Sequence, residues 1–112
     1  MKFRYAVELH GNETMVSLHV NVKLHTGEYA SSIQPDVLTP ELKNLMAMLR
    51  AVDGVEQVDS IAQHGIRFIV SPIFDRERTM HRAMQVFCAW HGSAISQWEK
   101  GKTILPPKYN RY

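Results

Sequence analysis

The residues able to do chemistry in this 112-residue chain are six histidines, one cysteine and scattered carboxylates. A structural zinc site needs four converging ligands and a catalytic one about three, usually with a close pair such as Cys-x-x-Cys or His-x-x-x-His. Cys88 with His91 is the one close pair. At about 100° per residue, Cys88 falls at the edge of an apolar helical arc and His91 in the last turn. They read as a small core-rim residue and a cation-capable group at a helix C-terminus. His19 and His25 lie on the polar side of a strand, His10 and His64 in turn regions, and His81 at a helix border. All read as solvated, so no metal site and no cofactor is expected.

Nucleophilic catalysis needs Cys88, or a serine or threonine, beside a base held by a third group. No spacing proposes such a triad. The chain has no Gly-x-x-x-x-Gly-Lys-Ser/Thr, no Gly-x-Gly-x-x-Gly and no Gly-x-Ser-x-Gly, which leaves P-loop hydrolysis, the dinucleotide fingerprint and the esterase elbow without support. Glu8, Glu13, Glu28, Glu56 and Asp59 form no evident acid–base pair. No catalytic residue is expected, and a non-enzymatic protein is the preferred reading.

Charge is distributed unevenly. The formal net charge is +2, from thirteen Lys plus Arg against eleven Asp plus Glu, yet residues 1 to 97 hold nine basic and ten acidic side chains and residues 98 to 112 four basic and one acidic. Trp98, Lys100, Lys102, Lys108, Tyr109, Arg111 and Tyr112 combine phosphate-pairing charges with stacking faces, the ingredients of RNA or single-stranded DNA binding. Arg76, Arg78 and Arg82 extend that patch in principle, diluted by Asp75 and Glu77. The competing reading packs Trp98, Ile104 and Leu105 against the domain. Pro106-Pro107 keeps the arm extended, in a form another protein or a sheet edge of a second subunit can recognise.

The elements that must position these residues follow from periodicity. Phe3, Tyr5, Val7 and Leu9 alternate with polar residues, as do Val16, Leu18, Val20, Val22 and Leu24, which predicts two strands with one buried face. A two-residue turn at Gly11-Asn12 sets Val7 opposite Val16, Tyr5 opposite Leu18 and Phe3 opposite Val20. Residues 26 to 38 are turn-rich. Thr39-Pro40-Glu41 then starts a helix whose stripe is Leu42, Leu45, Met46, Leu49 and Val52, stopped at Gly54. Val55 to Gln63 and Ile66 to Val70 predict a second hairpin around His64-Gly65. One register sets Ile61 against Phe68 and another sets Val58 against Val70, so a bulge is expected. Asp75 caps a second helix with Met80, Ala83, Met84, Phe87 and Trp90 on one arc, ended by Gly92.

The segment from Leu45 through Asp53-Gly54-Val55 to Val58, with Ile66 to Val70, resembles the helix–Gly-Val–hairpin core of ferredoxin-like modules, among them heavy-metal-associated domains and the N-terminal domain of some iron–sulfur scaffolds. Their Cys-x-x-Cys is missing here, so the resemblance carries no site residue. The expected fold is α+β, a two-layer sandwich of about four mainly antiparallel strands in the order ββαββα with two helices on one face, ferredoxin-like in general architecture. One domain spans residues 1–97, followed by a basic aromatic arm, 98–112.

Composition fits one globular domain, with 45% hydrophobic and 21% charged residues. No apolar run reaches the roughly 18 residues of a membrane-spanning helix, and Met1-Lys2-Phe3-Arg4 leads into strand-like sequence instead of a signal peptide core. A cytoplasmic protein without a membrane partner is expected. The open sheet face, with Arg4, Ala6, Glu8, Ser17, His19, Asn21 and Lys23 and with Met15 as its apolar exception, suits a partner sheet or water. The functional expectation is a small non-enzymatic binding or regulatory module that mediates protein–protein interaction. Homodimerisation through a sheet edge or the open face is expected with it; RNA or single-stranded DNA binding by the arm is the alternative.

Overall fold

A computed structural model describes residues 2–24, 29–31 and 38–107. Most of the turn-rich stretch expected at 26–38 lies outside them. The chain runs β1 (Phe3–Leu9), β2 (Met15–Val20), β3 (Tyr29–Ser31), α1 (Pro40–Arg50), β4 (Val55–Ala62), β5 (Gly65–Val70), α2 (Arg76–His91), a 3-10 turn at Ile95–Gln97 and β6 (Trp98–Lys100). The class is α+β, as expected. The order ββαββα is not, because β3 precedes α1 and β6 follows α2, and the four expected strands become a mixed sheet ordered β3-β4-β5-β2-β1-β6. The four central strands pair antiparallel, whereas β6 runs parallel to β1.

Alternation builds the core. Tyr5, Val7, Val16, Leu18, Val20, Ile66, Phe68 and Val70 are all buried, and they meet Leu42, Leu45, Met46 and Leu49 of α1 and Met80, Ala83, Met84 and Phe87 of α2. Each Val, Leu, Ile, Phe and Met among them contributes about 1.5–3 kcal/mol by leaving water, which fixes both helices on one face of the sheet. Thr39 and Asp75 cap the helices by accepting from the amides of Leu42 and Arg78. Gly92 closes α2 in the left-handed conformation, but α1 ends at Arg50, four residues before the expected stop at Gly54.

The first hairpin departs from the expected register by two residues. Val7 faces Leu18, Leu9 faces Val16 and Tyr5 faces Val20. A shift of two keeps every apolar residue on the buried face, so alternation alone could not detect it. The cause is a longer turn: His10 bonds to Met15, so four residues, Gly11 to Thr14, reverse the chain instead of two. The Asn12 carboxamide accepts from the amide and hydroxyl of Thr14 at 3.0 and 2.8 Å, and Arg76 donates to the carbonyls of His10, Asn12 and Met15.

In the second hairpin neither expected register forms. Ile61 faces Ile66, Ser60 faces Arg67 and Val58 faces Phe68, with irregularities at Glu56 and Asp59. The bulge itself was expected, and its reason is simple. Val58 and Ile61 are both fully buried although three residues apart, and in a strand only an extra residue puts them on one face.

Candidate functional site on the open sheet face

The face turned away from the helices carries a polar row set by register. Glu8 faces Ser17 across β1 and β2, Ser17 faces Arg67 across β2 and β5, and Arg67 faces Ser60 across β5 and β4. The neighbouring row runs Ala6, His19, Gly65. Gly65 has a local reason to lack a side chain, since a Cβ there would lie 3.3 Å from His19 Nδ1.

Side chains on these rows are paired with one another. His19 donates from Nε2 to Glu8 Oε1 at 2.6 Å. His10, from the loop after β1, reaches back so that its Nε2 shares a 2.7 Å hydrogen bond with Ser17 Oγ, and Ser17 is only 7% exposed. Arg67 Nε donates to Asp59 Oδ2 at 3.0 Å, an ion pair created by the bulge that places Asp59 beside it. His64 in the β4–β5 turn donates from Nδ1 to the Val22 carbonyl at 3.1 Å.

These groups surround an open depression of about 590 Å³ lined by Glu8, His10, Ser17, His19, Ser60 and Arg67, with Ala62, Gln63, His64, Gly65 and Ile66. A second, of about 290 Å³, shares His19 with it and is lined also by Arg4, Ala6, Asn21, Glu99 and Gly101. His19, pinned by Glu8, thus stands between two shallow basins. The pairs do not join into a relay: the carboxylate of Glu8 is spent on His19, while His10 holds Ser17 without a carboxylate behind it among the described residues. No three His, Cys, Asp or Glu side chains among the described residues converge to hold a metal ion.

Cys88 and His91 fall elsewhere. Cys88 is 2% exposed in the core, where burial pushes its thiol above its ordinary pKa against a smaller lowering by a hydrogen bond with Ser93. Burial likewise raises the Tyr5 phenol, with Cys88 adding to it. His91 packs in a cluster with Phe3, Phe87 and Trp98.

The arm residues divide three ways. Trp98, 7% exposed, stacks on Phe3 and donates its indole N–H to Ser93, so it offers no open ring face to a base. Lys100 and Lys102 are exposed. Lys108, Tyr109, Arg111 and Tyr112 lie outside the described residues. The segment after Trp98 docks along β1, with the Gly101 and Ile104 amides donating to the Tyr5 and Val7 carbonyls and Leu9 donating to Ile104. Of the expected basic extension, Arg76 is committed to the loop carbonyls, while Arg78 and Arg82 are exposed.

Sequence reasoning treated His10, His19 and His64 as separate surface residues. The register expected for the first hairpin puts Glu8 opposite Met15 and His19 opposite Arg4, which hides the Glu8–His19 pair, while His64 reaches this face only through the sheet order that sets β5 beside β2. No helix among the described residues is long and apolar enough to cross a membrane. No protein-family model matches the chain, and no curated protein or solved structure matches it.

Proposed function

We propose that the protein is a small non-enzymatic binding module whose open sheet face is the recognition surface. The observation that carries this is pre-pairing: Glu8 with His19, His10 with Ser17 and Asp59 with Arg67 hold a polar surface in one geometry around a depression. Ordering such side chains before binding lowers the entropy a ligand must overcome. Topology supports a ferredoxin-like architecture, since α1 links β2 to β4 with β5 between them, a split β-α-β unit, and β1 occupies the place of a final strand.

Amide-shift mapping by NMR against small amines, carboxylates, sugars and heterocycles tests the reading. Perturbed amides are expected at Glu8, Ser17, His19, Gly65 and Arg67. Perturbations clustered on the helices, or none with any probe, would overturn it.

Self-association is a second reading, favoured at the β6 edge by Ile104 and Leu105, which stay 43% and 65% exposed beside β1. Light scattering should return about twice 12.9 kDa, falling to the single-chain mass in Leu105→Asp. A single-chain mass for the unaltered protein at high concentration would sink it.

A further inference from the structure

The open face is not symmetric in what it offers a ligand. Among the described residues, Glu8 is the sole carboxylate lining the larger depression, and His19 already holds it. Asp59 approaches Arg67 only at Nε. The guanidinium is planar with five N–H donors, so this single bond leaves the outer edge, both Nη groups, without a partner among the described residues, on a side chain 44% exposed. Arg67 stands in the middle of the row, with Ser60 on one flank and Ser17 on the other. Ser60 is half-buried and carries a hydroxyl that can turn toward a guest on Arg67. His64 lines the same depression, but because its Nδ1–H is given to a carbonyl, Nε2 of the neutral ring is an acceptor and gives an anion no hydrogen bond.

We propose that Arg67, flanked by Ser60, is the anchor for a compact oxyanion, a carboxylate or phosphate carried by a small molecule whose body lies over Gly65 and against His19. This names the ligand class for the recognition surface and rests on that reading. The free guanidinium edge matches an oxyanion in a bidentate, charge-assisted fork. Asp59 fixes the plane of that fork from behind, at the cost of offsetting part of its charge. The floor beside it is low, because Gly65 has no side chain and Ala62 a short one, and the held imidazole of His19 forms a wall for a flat ligand body.

The test is a titration with inorganic phosphate and, in a separate arm, with acetate, followed at the Arg67 Nε–H and the amides of Ser60 and Arg67. Saturable shifts are expected with one or both anions, and the stronger response tells phosphate from carboxylate. Arg67→Gln should weaken binding about tenfold or more, whereas Arg82→Gln, on exposed α2 surface, should leave it unchanged. Asp59→Asn gives the opposite sign: freed of its competing carboxylate, Arg67 should bind severalfold more tightly, a result that stands even if Arg67→Gln does not fold. If neutral or amine probes shift the open face while neither anion does, or if Asp59→Asn leaves anion affinity unchanged, the oxyanion assignment fails and the surface reading survives. If no probe of any class shifts that face, both fail.

Discussion

Gly54 shows how one residue can matter without touching a ligand. Its φ is +94°, and a Cβ there would come within 2.9 Å of the Phe74 ring and 3.1 Å of the Thr79 hydroxyl. Gly54→Ala therefore meets both left-handed strain and a clash at the N-terminus of α2, and should lower stability by about 1–3 kcal/mol, read as a lower urea midpoint with the slope unchanged. Cys88 and Tyr5 make a second residue-scale prediction. Burial raises both groups in the folded chain, so the unfolded chain loses those protons first and stability falls as pH rises above about 9. Cys88→Ala should flatten the first part of that fall. An unfolding midpoint equally pH-dependent with and without Cys88 would contradict the assignment.

At the scale of elements, the chain after α2 begins as part of the core. Trp98 is enclosed by Phe3, Phe87 and His91, and β6 covers the edge that β1 would otherwise expose. Trp98→Ala should cost about 3–5 kcal/mol, while Lys100→Ala and Lys102→Ala should stay within about 0.5 kcal/mol in the same chemical denaturation experiment. A tolerated Trp98→Ala would restore the arm as an independent segment. Both helices were legible because their caps and stripes are local signals. Strand faces were legible for the same reason, as alternation is written into neighbouring residues. Register was not. The Asn12 turn and the reach of Arg76 from α2 into the first hairpin loop set it, and the second of these joins residues more than sixty positions apart. Strands β3 and β6 escaped because three residues are too few for a period-two pattern to stand out.

The whole molecule assembles its candidate site from pieces that mean little separately. His10 comes from the loop after β1, His19 from β2 and His64 from the β4–β5 turn, and only the completed sheet order brings them to one depression. Glu8 and Ser17 were readable as polar-face residues, but their partners depend on a register that the sequence pattern leaves degenerate. The central claim is that this face is held in one geometry by its own side-chain pairs. The ¹⁵N shifts of the histidine ring nitrogens in the neutral state test it most directly. His19 should carry its proton on Nε2, facing Glu8, and His64 on Nδ1, facing the Val22 carbonyl, so the two rings should report opposite tautomers. In Glu8→Gln the His19 signature should change and that of His64 should not. Averaged shifts like those of free imidazole at both rings, or a His19 ring indifferent to Glu8→Gln, would contradict the account.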